Sequence, residues 1–269
     1  MKKRFAMSAA LAAALSIVGS TAVFAQDDET GSEEDGTCLY CIDALDAADF
    51  GVVPMGELVA GEPISHWVRK RDEWFLATPF DEHYGPQNDC QAGQGGPVFH
   101  LSNGMFGATA HYECEIQPDQ YVLIGPGGAG NGSQDMPVEE LIAMTLDEAM
   151  FMTNPRINVD GRDIPVGGSA WVMDDPFTLD MPEDNLFGMP AGETTWQTMG
   201  WFVMLEPLAP GKHTIVISDD LLETAVAPQD IDPETGVLNQ EFAPVGTPIQ
   251  ATAFFDITVP EGDEEAAAE

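Results

Sequence analysis

The sequence predicts an all-β fold, a jelly-roll-like β-sandwich with two short covering helices. Three observations carry this. Most of the chain breaks into short runs rich in β-branched and aromatic residues with period-two alternation. Gly and Pro, at 27 and 20 residues, punctuate those runs as turns, as in "SNGMFG", "DGRD" and "APGK". Only two segments repeat their apolar residues at helical spacing.

The helices come first in the argument because they are the exceptions. Ser65 is an expected N-cap, and Trp67, Val68, Arg71, Trp74 and Phe75 share one helical face before Pro79 ends the run. The second helix opens with Pro137 at a first-turn position, followed by Glu139 and Glu140 at the positive end of the dipole. Val138, Leu141, Ile142, Thr145, Ala149 and Met152 then recur with a helical period. Strands are expected at 98–101, 108–115, 121–124, 156–159, 170–173, 177–181, 200–205, 213–218 and 251–259. The glycine-rich 125–132 segment, "GPGGAGNG", is too irregular for a phosphate loop and lacks its Lys, so it is expected to be a loop beside the sheet.

The ends address the chain. Lys2, Lys3 and Arg4 precede a short apolar stretch, Ala9 to Val18, and "VFA" at 23–25 is a small-residue cleavage signature. Residues 1–25 therefore read as a secretory signal peptide, and the expected location is secreted or periplasmic. Residues 26–37 read as an acidic disordered leader, 38–260 as a single sandwich domain and 261–269 as an acidic tail. No later apolar run is long enough to span a bilayer, so no membrane insertion is expected.

Charge excludes some partners. Nine basic residues stand against 46 acidic ones, a formal net of −37. Like charge at this density repels nucleic acid and anionic lipid. It also strains the compact state unless salt screens it, which fits a carboxylate-rich surface adapted to halophilic conditions. Half of the basic charge left after signal cleavage sits in Arg69, Lys70 and Arg71, where pairing with the chain's own carboxylates is expected.

Candidate chemistry gathers around residues 88–116. With "SNGMFG" as a hairpin loop, Phe99, Leu101, Ala110 and Tyr112 face the core, while His100, His111 and Glu113 share the other face. Two histidines and a carboxylate on one face have the composition of a mononuclear metal site. Solvated histidines on an open sheet face are the plain alternative. Asp89 or Glu113 with His100 or His111 are also the candidate catalytic groups of a glycan-directed hydrolase or lyase. Asp230, Asp232 and Glu241 imitate a calcium loop, but the glycine falls at the seventh position instead of the sixth, which favours an acidic turn over a Ca2+ site. No G-x-S-x-G elbow and no H-E-x-x-H motif occurs.

Cys90, Gly93, Gln94, Gly96, Pro97, Val98, Phe99 and Leu101 spell C-x2-G-Q-x-G-P-V-F-x-L. With this motif the chain resembles a family of secreted microbial proteins. Further points of likeness are the Trp67/Trp74 helix before the motif, Cys114, the Asp160–Gly161 turn, and "L-x-P-G-x-H-T-I" at Leu208, Pro210, Gly211, His213, Thr214 and Ile215. The resemblance implies a secreted β-rich domain and transfers no catalytic residue. The chain departs from the pattern at His100, where an aromatic or apolar residue is expected, and at His111. A Cys90–Cys114 disulfide fits an oxidising compartment, stabilising by about 3 kcal/mol. Cys38 and Cys41 form a C-x-x-C best read as a small local disulfide; a redox pair or a four-cysteine zinc site is the alternative.

The function these readings support is binding of an extracellular polysaccharide or small ligand without catalysis. The tryptophans (Trp67, Trp74, Trp171, Trp196 and Trp201) are either a sugar-stacking platform or core.

Overall fold

The structure, a computed structural model, describes residues 50–77, 90–102, 109–150, 152–183, 185, 189–221, 226–231, 238–242 and 249–261. The segments 1–25 and 26–37, Cys38, Cys41, Asp89 and Asp232 lie outside these described residues.

Two five-stranded sheets form the sandwich. In chain order the elements are β1 (Leu58–Val59), β2 (Glu62–Pro63), α1 (Ile64–Ala77), β3 (Val98–Ser102), β4 (Thr109–Glu115), β5 (Tyr121–Ser133) and α2 (Val138–Ala149). There follow β6 (Met152–Val159), β7 (Arg162–Ile164), β8 (Trp171–Met173), β9 (Phe177–Met181), β10 (Gly192–Leu205), β11 (Gly211–Leu221), β12 (Val226–Ile231), β13 (Leu238–Phe242) and β14 (Ile249–Val259). One sheet runs β3-β5-β10-β8, with β9 also paired to β10, and the other runs β4-β14-β11-β6-β7. Both outer strands β3 and β4 join their sheets in parallel, β3 to β5 and β4 to β14.

That topology corrects the expected hairpin. β3 and β4 belong to opposite sheets, so Phe99 and Ala110 are not cross-strand partners. The core assignment nonetheless holds, because both strands turn the same residues inward. Phe99, Leu101 and Tyr112 are buried in the core between the sheets, with Ala110 packed against it, beside Val122, Ile124, Ile215, Ile217, Phe255 and Ile257. The disulfide Cys90–Cys114, with Cα atoms 5.7 Å apart, ties the segment before β3 to β4 across the sandwich.

α1 covers the outer face of the first sheet. Ile64, Val68, Asp72 and Leu76, four residues apart, are buried along one stripe, and Val68 packs with Val98, Leu123, Phe202 and Met204. Because the helix shields that side, every residue of β3 from Val98 to Leu101 is buried, and alternation cannot separate its two faces. The helix starts at Ile64, one residue before Ser65. Trp67 and Trp74 are fixed from the helix to backbone carbonyls, Trp67 Nε1 donating to Val59 O at 2.9 Å and Trp74 Nε1 to Ala92 O at 2.7 Å. They are scaffold.

A second correction concerns 125–132. The glycine-rich segment is the continuation of β5, paired antiparallel with β10 from Thr195↔Ser133 to Trp201↔Gly127. Low strand propensity is overridden by packing that only glycine permits. A Cβ at Gly128 would lie 2.5 Å from the Met199 carbonyl oxygen and 2.8 Å from the Gly200 Cα. At Gly132 it would lie 2.4 Å from the Trp196 ring, which lies across this stretch of strand.

Two widely separated motifs meet at one corner. Asp160 and Gly161 form the β6–β7 turn with φ of 50° and 80°. The Asp160 carboxylate accepts the Thr214 backbone N–H at 2.8 Å and bonds His213 Nδ1 at 2.7 Å. His213 Nε2 lies 2.8 Å from Ala209 O, so this histidine pins the start of β11 to the turn.

Candidate functional site, a cleft along the edge of β5

A cavity of about 450 Å³ lies where α1 passes the glycine-rich half of β5. Its walls carry Phe75, Trp196 and Phe202 on one side and Met152, Asp219 and Ala251 on the other. Apolar surface predominates, with a small set of polar groups converging on it.

The most constrained of these is Asp72. Its position in the buried stripe of α1 puts a carboxylate at a core-facing site, 2% exposed. Arg71 Nη1 donates to Oδ1 at 2.8 Å, the Thr198 hydroxyl donates to Oδ2, and Trp196 Nε1 reaches both Oδ2 at 3.2 Å and Thr198 Oγ1 at 2.9 Å. Burial pushes the Asp72 carboxyl above the usual carboxylate range, opposed by the Arg71 charge and by these hydrogen bonds. The Arg71 guanidinium also donates from Nη2 to Ser102 Oγ at 2.8 Å and stacks over Phe75. Its Nε is shielded from solvent and finds no acceptor among the described residues.

The opposite wall comes from the second sheet. Asp219 follows Ile215 and Ile217 at inward-facing parity in β11 and is 1% exposed. A Cβ at Gly127 would lie 3.2 Å from its Oδ2, so that glycine makes room for the carboxylate. Glu148, from the last turn of α2, accepts a hydrogen bond from Asn131 Nδ2 at 2.7 Å.

The residues singled out from sequence do not assemble into a site. His100, on the helix side of β3, is buried and stacks on Trp74 with ring centroids 5.7 Å apart. Burial, reinforced by the Arg71 charge, holds its imidazole down at about 3. His111 lies in the other sheet, exposed and stacked on Phe254 at 4.6 Å. Glu113 is exposed on β4. The shared face that would have joined His100, His111 and Glu113 required the hairpin, and the strands lie in different sheets. Among the described residues no three His, Cys, Asp or Glu side chains gather at metal-binding range. Asp230 and Glu241 fall on β12 and β13, the two arms of an antiparallel hairpin, where Glu241 pairs with Ala227. Among the described residues no helix flanks them as in an EF-hand.

The basic run pairs internally. Arg69 bonds Asp174 at 2.7 Å, Lys70 bonds Glu73 at 2.7 Å, and Arg71 bonds Asp72. Asp72, Thr198, Trp196, Asp219 and Glu148 are the groups that sequence reasoning did not gather. Two of them left a trace: Asp72 and Asp219 are carboxylates at positions whose period assigns them to the interior.

No protein-family model and no curated protein matches the chain. Among solved structures, a chain from "Structure of PbICP-C in complex with falcipain-2" aligns at 10% identity over 61% of this chain and 99% of that one, with a TM-score of 0.22. A similarity this low carries no argument about fold or function. What stands is the architecture itself, a disulfide-bonded all-β sandwich with no helix, among the described residues, long and apolar enough to cross a membrane.

Proposed function

We propose that the protein is an exported, acidic ligand-binding module that takes its ligand into the β5 cleft and acts by binding, without catalysis. One observation carries the reading. The cleft is a cavity of ligand size, mainly apolar, in which a few oriented polar groups converge from α1, β5, β10 and β11. The intended catalytic histidines support no rival site, since His100 is buried under α1 and His111 lies in the opposite sheet.

The test is a melting-temperature screen of oligosaccharides, short peptides and small metabolites at low and high salt, run on the natural chain and on Ala129→Phe. Ala129 is half-buried on the cleft floor, so the larger ring occludes it. Stabilisation by a panel member that disappears in Ala129→Phe supports the reading. Equal stabilisation of both proteins moves the site elsewhere and sinks it.

A second reading has one specific observation behind it. Asp72, with its carboxyl pushed up by burial, shares the cleft with the carboxylates Asp219 and Glu148, the raw material of acid–base glycan cleavage. Oligosaccharide turnover lost in Asp219→Asn would favour it.

A further inference from the structure

Among the described residues the exposed large apolar side chains are Leu58, Val138, Leu146, Met150, Met173 and Phe254. Leu58, Met173 and Phe254 sit singly on β1, β8 and β14, and single exposed apolar residues are ordinary on a protein surface. The other three share α2. Val138 is 43% exposed, Leu146 40%, and Met150, the C-cap residue, 63%. With half-buried Ile142 they recur at i, i+4 spacing and form one continuous ridge over about 18 Å of helix. The adjoining ridge, Leu141, Thr145 and Ala149, is buried and seats the helix on β5 and β10. The outer ridge is apolar surface that the fold leaves in water.

The border of this ridge is acidic. Next round the helix come Glu139, Ala143 and Asp147, all exposed, and after them Glu140, Met144 and Glu148. Among the described residues Glu139, Glu140 and Asp147 form no ion pair. The sequence holds no Lys or Arg between Arg71 and Arg156.

Charge decides which occupant fits. Apart from Lys2, Lys3 and Arg4, the segments outside the described residues contain no Lys or Arg, so no later segment of the chain matches the acidic border. A second copy would set one acidic border against another, in a chain of net −37. An anionic lipid surface is repelled in the same way. Methionine adds a further trait. Met136, Met144 and Met150 lie on or beside the helix and reach solvent, and unbranched thioether side chains adapt to partners of varied shape.

We propose that the exposed ridge of α2 docks an amphipathic helix with basic flanks, carried by a partner protein. The apolar residues of that helix pack against Val138, Ile142, Leu146 and Met150, ridge into groove, while its Lys or Arg side chains reach Glu139 and Asp147. None of the four apolar residues lines the β5 cleft, so this surface is separate from the ligand site. The contact is small, and the association is transient.

The probe is a library of peptides of about 18 residues, with apolar residues fixed at helical spacing and flanks randomised, selected against the full chain at low salt. We expect Lys and Arg to be enriched in the flanks and binding to weaken as salt is raised. A scrambled peptide of the same composition keeps the charge and loses the apolar face, and should bind about tenfold more weakly. Leu146→Gln with Met150→Gln should cost a similar factor and leave the melting temperature of the chain unchanged, because both side chains stand in water. Glu139→Gln with Asp147→Asn should weaken binding and flatten its salt dependence. Failure to enrich a peptide, or enrichment of uncharged or acidic flanks, overturns the proposal. Equal binding of the scrambled peptide, or undiminished binding by either double variant, does the same. A marked fall in the melting temperature of the Leu146→Gln, Met150→Gln protein also overturns it, since the ridge would then be covered by the chain itself.

Discussion

His100 offers the sharpest physical test of this fold. Its ring fills a slot between Trp74 and β3, its backbone N–H and C=O are both held by the Gln94 side chain, and its Nδ1 has no partner among the described residues. The imidazole is neutral in the folded protein, with its pKa depressed to about 3 by burial and then by the Arg71 charge, whereas the unfolded chain protonates near the ordinary histidine value of 6.5. Between those values the unfolded state binds the extra proton, so stability falls as the pH is lowered through 6.5. At about pH 5 the linkage amounts to roughly 1.4 kcal/mol times 1.5 pH units, about 2 kcal/mol relative to about pH 8. Protonation of surface carboxylates works in the opposite direction by relieving repulsion, so the comparison must be with a variant. His100→Phe keeps the aromatic contact with Trp74 and removes the titration. Chemical denaturation of both proteins from about pH 8 to about pH 5, at one high salt concentration, should show the natural chain losing about 2 kcal/mol more than the variant. Parallel curves, or an imidazole resonance of His100 that titrates near 6.5, would refute the buried neutral ring.

Other consequences follow from the same packing. Gly128→Ala drives a methyl group into the Met199 carbonyl and the Gly200 Cα, two backbone atoms that cannot swing aside, and should cost about 2–3 kcal/mol in urea unfolding; a loss under about 1 kcal/mol would mean that β5 and β10 are not so close. The double substitution Cys90→Ser, Cys114→Ser opens a link spanning 24 residues and should cost about 3 kcal/mol, with the natural chain falling to the same level under reducing conditions. Melting temperature should climb steeply with NaCl up to about 1 M, since −37 charges are screened, and a flat response would contradict self-repulsion as a dominant strain. At the β6–β7 corner, burial disfavours the His213 imidazolium, but the hydrogen bond and charge of Asp160 win and raise its pKa above 6.5. Burial likewise opposes ionisation of Asp160, but bonds from His213 and Thr214 outweigh it and lower its pKa below 3.8. The pair stabilises most between those two values, fading as pH rises through the folded His213 value or falls through that of Asp160. Asp160→Asn should bring the His213 titration downward by NMR, and an unmoved midpoint would break the assignment.

Period and punctuation in the sequence determined the class of this fold. Alternation located the β9 residues at both ends, placed Phe99, Leu101 and Tyr112 in the core, and Pro137 with two glutamates marked the start of α2. These are local signals, because each residue's face is set by its neighbours in the chain. Strand partnership is not local. Nothing between Ser102 and Thr109 reveals that β3 and β4 part into opposite sheets, so the expected His100, His111 and Glu113 cluster dissolved when the strands separated. The glycine-rich stretch read as a loop because propensity counts missing side chains as weakness. Only the opposite strand, with Gly200 and the Trp196 ring, turns their absence into fit. The cleft itself belongs wholly to tertiary structure: Arg71 and Asp219 are 148 positions apart, and their meeting is fixed by the closure of two sheets over a shared interior.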